Sequence, residues 1–385
     1  MEKQQDGRIK RLDGIRGLAI VLVFLIHARI SRFGWVGVPM FFALSGYLIT
    51  GILRRAREDR SFWAPFYIKR ATRILPPLLI LFLIAALFCD VAWRQVGLYL
   101  AFFAANIAET IHRGKTGPLS VLWSLAVEEQ FYLLWPFAIR YLSRRALMIF
   151  LTAALLLEPC LRGFFTPYFS TMFPIFYLTP FQLDGLAAGS LLALLLENSA
   201  TKVALKYWSG RSLAISLLAL VMLSFYPAFD RDQNSVIFNS FGYTIVYLAS
   251  ASLVGFVLLN PESRLSSVFG SRPAVFLGAI SYGFYLFHLA GITFTDQIAH
   301  AIQYRHLRTL SPLTFAAVTI FSWLSFRFYE QPIIAWGKNL ALRSNRSGSS
   351  FRQSASVSSS GISLSASGHE TEIKSAGTLP EQAML

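Results

Sequence analysis

Arg16 and His27 stand eleven residues apart in a run otherwise almost free of polar side chains, RLDGIRGLAIVLVFLIH at 11–27. Eleven residues of α-helix make three full turns plus roughly 20° and rise about 16 Å. The two side chains therefore lie one above the other on a single helix face. A guanidinium suits a phosphate, which it can grip through two parallel hydrogen bonds, and an imidazole can take or give a proton near neutral pH. A plainer reading stays open at this point. Asp13, three residues before Arg16, has the spacing to pair with it, and His27 could simply bond a neighbouring helix.

Other ionisable groups sit in comparable places. Lys69-Arg70-Ala71-Thr72-Arg73 precedes an apolar run, and Arg70 and Arg73 share a helix face, as an anion clamp or as a topological anchor. Glu128 and Glu129 open another apolar segment and are about 100° apart around its axis, so at most one is expected to face a given site. Asp184 and His288 are expected at a similar depth to the glutamates, and Arg327 and Glu330, three residues apart, are expected to pair. Charges inside hydrocarbon are expensive, so each is a candidate functional group. Together they suggest a basic mouth on one side (Arg16, Arg70, Arg73). On the other side they suggest a titratable chamber (His27, one of Glu128 and Glu129, with Asp184 and His288). A polyanion site joined by one helix face to an acid–base site suggests group transfer across a bilayer. The donor would be a phosphate-bearing carrier with a long thin arm, such as coenzyme A.

Composition says what holds these groups. Of 385 residues, 55% are hydrophobic and 14% charged, with 34 Phe. Mean hydropathy is +0.51. Soluble chains carry about a quarter charged residues, so this is read as an all-α polytopic membrane protein. Ten apolar windows approach the roughly 20 residues a spanning helix needs: 13–31, 35–53, 74–93, 122–142, 146–162, 181–197, 212–228, 240–259, 274–295 and 312–334. Residues 97–108 are apolar but short, and read as interfacial or re-entrant. Ten spans put both termini on one side. With the N-terminus in the cytoplasm, the inner segments hold 24 Lys and Arg and the outer segments 9, which agrees with the positive-inside rule. The net charge of +15 is thereby explained as topology, with no need of nucleic acid. Residues 1–340 are expected to form the membrane domain. Residues 341–385 read as a disordered Ser-rich cytoplasmic tail, the last 42 residues containing 13 Ser. The N-terminal segment lacks a small-x-small cleavage site and reads as an uncleaved signal anchor. Cys89 and Cys160 form neither a disulfide framework nor a metal-ligand cluster, so no metal is expected.

The same residues carry a resemblance. The segment 11–27 with its Arg-x10-His spacing resembles the first helix of the acyltransferase-3 family of integral membrane acyltransferases. GVPMFFALSGYLI (37–49), KRATRILPPLL (69–79), LWSLAVEEQFYLLWP (122–136), LDGLAAG (183–189), ISYGFYLFH (280–288) and FYEQP (328–332) are similar, in order, to its other landmarks. The likeness spans roughly 11–333, and the joint pattern is far more specific than any one piece. It implies a ten-helix, multi-pass enzyme of the bacterial cytoplasmic membrane that moves an acyl group, usually acetyl, from cytoplasmic acyl-CoA to a carbohydrate hydroxyl on the outer side. Acyl-CoA is then a substrate, and no cofactor is permanently bound. By the same resemblance His27 is the central catalytic residue, with the Glu128–Glu129 pair required. Arg16, Arg70 and Arg73 bind the donor, and Asp13, Ser45, Trp123, Asp184 and His288 are accessory candidates. Two positions depart from the family: Lys69 stands where the basic residue before Arg70 is often doubled, and Val121 stands where a histidine is common. Some members carry an added extracytoplasmic hydrolase-like domain. This chain ends in the Ser-rich tail and is expected to complete the transfer alone.

The mechanism expected is general-base attack with His27 acting through Nε2 or Nδ1, or a transient acyl-imidazole, with one of Glu128 and Glu129 fixing the imidazole or helping deprotonate the acceptor. The rival from another class is a proton-coupled secondary transporter or exporter. Such proteins commonly show internal repeats and matching broken helices, and the sequence has neither.

Overall fold

A computed structural model describes residues 9–226, 229–303 and 307–343. The expected tail, apart from 341–343, and the N-terminal bases Lys3 and Arg8 lie outside the described residues. Among those described there is no strand. The chain forms α1 (Lys10–His27), α2 (Gly37–Arg55), α3 (Trp63–Phe88), α4 (Trp93–Ala101), α5 (Ala105–Thr110), α6 (Leu122–Tyr141), α7 (Arg144–Phe165), α8 (Phe173–Tyr177), α9 (Leu183–Leu195), α10 (Ser199–Ser224), α11 (Tyr243–Leu259), α12 (Arg264–Phe269), α13 (Arg272–Ala301) and α14 (Leu307–Ser325).

Local chemistry explains several of these boundaries. Ser143 Oγ accepts from Ala146 N at 3.1 Å and starts α7; Asn198 Oδ1 accepts from Ala200 N at 2.9 Å and starts α10. Two helices contain single π-turns, at Phe238–Gly242 before α11 and at Phe326–Glu330 after α14. The apolar run at 97–108 becomes two short helices, α4 and α5, which meet at Phe103 with φ +51°.

Among the described residues, seven helical stretches are long and apolar enough to cross a membrane: Gly34–Arg55, Trp63–Phe88, Arg144–Tyr168, Ser199–Ser224, Phe238–Leu259, Arg272–Ala301 and Thr309–Arg343. The other three sequence windows fall on α1, α6 and α9. These are the helices that carry Asp13, Arg16 and His27, then Glu128 and Glu129, then Asp184. Their charges depress the hydropathy of α1 and α6, whereas α9 has only 13 residues, about 20 Å of helix. Leu75, Leu79, Leu83 and Leu87 form an exposed stripe along α3, one apolar face turned outward as lipid requires. The protein is a multi-pass integral membrane protein.

The core is built by helices pressed together at small residues. α1 packs on α13, and α2 on α9. A Cβ at Gly278 would stand 1.7 Å from Asp13 O, and one at Gly189 would stand 1.9 Å from Ala43 O, so only glycine permits either approach. The first contact joins α1 to α13 at the Asp13 end, and along the same pair His27 lies beside His288; the second seats α2 against α9.

Candidate active site

Two cavities lie along α1. The first, about 90 Å³, is lined by Arg16, Ser45, Arg70, Arg73, Glu128, Tyr132 and Tyr282 among others. The second, about 190 Å³, is lined by His27, Trp35, Trp123, Phe173, Tyr177 and Arg231 among others. Val38 and Tyr285 line both. The Tyr285 hydroxyl donates to Val121 O at 2.9 Å and lies 2.5 Å from Ser124 Oγ. A hydrogen-bonded phenol therefore stands where the arginine cavity meets the histidine cavity. Arg16 borders one and His27 the other, as their shared helix face requires.

The arginine cavity is set by α3. Its sequence window begins at residue 74, yet the helix starts at Trp63, so Arg70 and Arg73 project from within it. The segment 63–73 holds three bases that mask its helical character in a hydropathy scan. Arg70 stacks on Tyr132 with Cζ 3.6 Å from the ring centre and lies 3.5 Å from Glu129 Oε1. Its Nε is buried without a hydrogen-bond partner among the described residues. Ser45 Oγ donates to Glu128 Oε1 at 2.5 Å, and Arg16 Nη1 donates to Asp13 Oδ1 at 3.3 Å. Three guanidinium groups thus face one cavity, and an unpaired buried N–H is a donor waiting for an oxygen.

The structure moves the glutamates relative to the sequence expectation. Glu128 lines the arginine cavity and Glu129 pairs with Arg70, and neither is a partner of the His27 ring. Two carboxylates taken out of water are stabilised by nearby cations, which this side supplies. The partner of His27 is His288. His288 Nδ1 lies 2.6 Å from Tyr285 O, and a carbonyl only accepts, so Nδ1 carries the hydrogen. His27 Nδ1 lies 2.8 Å from Val23 O and 3.2 Å from His288 Nε2. It donates to the carbonyl, with the bare His288 nitrogen as second acceptor. That assignment leaves the His27 Nε2 lone pair unused. His288 is fully buried, whereas His27 is exposed and lines its cavity. Tyr177 also lines this cavity; burial, reinforced by the Glu109 carboxylate, pushes its phenol up to about 12, so it keeps its proton at neutral pH.

Asp184 reaches neither cavity. It is held by Arg162, a residue that reads in sequence as an outer-loop base but is fully buried. Arg162 Nη1 donates to Asp184 Oδ1 at 3.1 Å and Nη2 to Oδ2 at 2.8 Å. Nε donates to Asn239 O at 2.6 Å, and Nη1 also donates to Phe181 O at 2.9 Å. Asn239 lies in the π-turn of Phe238–Gly242, which displaces carbonyls from the usual helical ladder. Arg327 and Glu330 do not pair: Arg327 Nη1 donates to Gln331 Oε1 at 3.1 Å, and buried Glu330 accepts from Ser325 Oγ at 2.9 Å. The π-turn at 326–330 alters the three-residue spacing that suggested their pairing. Sequence reasoning missed Tyr132, Tyr285 and Arg231. The first two carry a usable signal, because Tyr132 is four residues after Glu128 and Tyr285 three before His288.

The acyltransferase domain of the acyltransferase-3 family matches residues 9–327. A peptidoglycan O-acetyltransferase, OatA, of Listeria monocytogenes is 28% identical over 350 residues, covering 84% of this chain and 56% of that protein. The O-acetyltransferase OatA of Staphylococcus aureus strain NCTC 8325 is 26% identical over 360 residues, covering 86% of this chain and 58% of its own. A putative O-acetyltransferase of S. aureus strain COL is 27% identical over 355 residues, covering 84% and 57% respectively. The chain thus spans little more than half the length of these relatives. No solved structure matches it.

Proposed function

Because this chain belongs to the acyltransferase-3 family of integral membrane acyltransferases, we propose that it transfers an acyl group, acetyl first among them, from acyl-CoA to a carbohydrate hydroxyl on the opposite side of the membrane. The arginine cavity then faces the cytoplasm, as do both termini. The observation that carries this reading is the pair of cavities meeting at Val38 and Tyr285, one cationic and one holding an imidazole with a free nitrogen. The names of the relatives, which specify O-acetyl transfer and in one case peptidoglycan, favour acetyl and a sugar acceptor.

In this mechanism Arg16, Arg70 and Arg73 hold the donor's phosphates and the pantetheine arm follows α1 past Tyr285. The acceptor hydroxyl enters the histidine cavity. His27 Nε2 takes its proton as the oxygen attacks the thioester carbonyl, and the C–S bond breaks as the tetrahedral intermediate collapses. The thiolate leaves and recovers the proton from the imidazolium, releasing free CoA and the ester. His288 Nε2 and Val23 O steady the charge that develops on His27. Glu128 and Glu129 maintain the Arg70 geometry and limit the excess positive charge when no donor is bound.

The test uses the full chain in lipid nanodiscs with labelled acetyl-CoA and a saccharide acceptor. A positioned general base contributes about 10²–10⁴-fold, so His27→Ala should lose that much in kcat while still binding CoA. Transfer by His27→Ala at the wild-type rate would refute the assignment.

A further inference from the structure

The histidine cavity contains a guanidinium that acyl transfer, as described, leaves without a task. Arg231 lines it together with His27, and its side chain is 16% exposed. Nε and Nη1 are buried and have no hydrogen-bond partner among the described residues. Nε lies 3.3 Å from Asp232 Oδ1 without hydrogen-bond alignment. That carboxylate is half-exposed and shared with Arg32, 3.3 Å away, so it balances one of two cations. The nearby Asp230 carboxylate is spent elsewhere, accepting from Asp232 N at 3.0 Å and from Gln233 Nε2 at 3.0 Å.

The contrast with Arg162 is instructive. Arg162, fully buried, donates from Nε, Nη1 and Nη2 to carbonyls, a carboxylate and a hydroxyl. Each of its three guanidinium nitrogens has an acceptor. Arg231 instead resembles Arg70, which also keeps an unpartnered Nε beside a cavity. Leaving a buried donor unmade is costly, and the protein takes trouble to hold this one in place. The guanidinium carbon lies 5.3 Å from the Trp35 ring and 5.4 Å from the Phe176 ring, so aromatic faces support it and its N–H edges stay free. Its loop is pinned: Asn234, at φ +52°, donates from Nδ2 to Phe169 O at 2.8 Å, and Asn239 Nδ2 donates to Asn234 Oδ1 at 2.8 Å. Aromatic rings line the same cavity, with Trp123 and Tyr177 centred 5.0 Å apart and Phe173 and Tyr177 stacked at 5.4 Å. Such rings suit the C–H face of a pyranose.

We infer that Arg231 is a specificity residue that binds an anionic group on the acceptor, so that the favoured substrate is an acidic saccharide bearing a carboxylate or phosphate rather than a neutral one. The inference rests on the acyl-transfer reading only for what happens to the sugar's hydroxyl; the anion site stands or falls by binding. At about 190 Å³ the cavity is below the roughly 300 Å³ at which pockets for drug-sized ligands begin, a size that suits one sugar ring.

Binding and turnover together test it. Methyl glucuronide, glucose 1-phosphate and methyl glucoside are titrated against the full chain in neutral-lipid nanodiscs, with tryptophan fluorescence as the signal. Charge-assisted hydrogen bonds predict that at least one anionic sugar binds about 10- to 100-fold tighter than the glucoside, that this margin narrows as ionic strength rises, and that the tighter of the two identifies the anion. Arg231→Gln should abolish the margin, and Arg231→Lys should restore part of it, which separates lost charge from lost folding. In turnover, Arg231→Gln should raise KM for the anionic acceptor and leave KM for acetyl-CoA unchanged. Equal affinity for all three sugars, including no measurable binding of any, overturns the inference. So does an Arg231→Gln defect that falls on kcat alike for acidic and neutral acceptors. An anion preference without acetyl transfer to any sugar would retain the Arg231 site and remove the acyltransferase reading; transfer without preference would do the reverse.

Discussion

Replacing Asp184 with Asn should destabilise this protein far more than removing a surface carboxylate. Both Arg162 and Asp184 have side chains 0% exposed, and the pair is bidentate at 3.1 and 2.8 Å. An amide of the same shape turns one of those acceptors into a donor facing a donor and removes the carboxylate bonded to the guanidinium, leaving buried Glu158 as the remaining acid near it. Removing one partner of a buried pair costs about 3–5 kcal/mol. Because Asn239 O, Phe181 O and Thr244 Oγ1 remain as acceptors, the lower end, about 3 kcal/mol, is expected, which is more than a hundredfold in the folding equilibrium. The control is Glu197→Gln. Glu197 accepts from Arg54 at 2.9 and 3.0 Å but is 33% exposed, so its loss should cost no more than about 1 kcal/mol. Reversible unfolding in mixed micelles, followed by circular dichroism, gives both values. If Asp184→Asn shifts the transition no further than Glu197→Gln, the account of this network is wrong.

Three other outcomes follow from the two cavities. Arg70→Lys keeps the charge but loses the planar fork and its stacking on Tyr132, so KM for acetyl-CoA should rise about tenfold with little change in kcat; an unchanged KM would remove Arg70 from the donor site. Tyr285→Phe removes the hydroxyl bonded to Val121 O, costing about 0.5–1.5 kcal/mol of stability. It should also raise acceptor-free hydrolysis of acetyl-CoA, read as thiol release, and equal release from both proteins counts against a partition. His288→Ala should lower kcat by less than His27→Ala does while leaving donor KM alone, since in the proposed mechanism it orients the His27 ring and steadies its charge without touching substrate, and an equal loss would assign His288 a direct chemical step.

Much of this was legible in the chain because two signals are local. Apolar windows locate helices, and the Arg16–His27 spacing predicts a shared face without reference to any other element. Partners across helices were not legible. Arg162 counts as one more loop base until Asp184 and the π-turn carbonyls of residue 239 are brought to it, and their sequence separations of 22 and 77 residues leave no periodic trace. The early start of α3 was hidden because Lys69, Arg70 and Arg73 lower its hydropathy while Tyr132 and Glu129 of α6 stabilise it. The same cations hold Glu128 and Glu129 on the arginine side, away from the imidazole that one of them was expected to serve, and His288 is that ring's partner instead.

The hydroxyl of Tyr285, tied to Val121 and bordering both chambers, has a consequence beyond catalysis. A continuous wet passage along α1 would short-circuit any ion gradient across the bilayer. A phenol at that junction narrows the passage, and on the acyl-transfer reading proposed above a slender thioester arm would pass where hydrated ions would not. Tyr285, with Val38 beside it, then bears on permeability as well as turnover, so a variant that widens this point should make its host leaky before it makes it inactive.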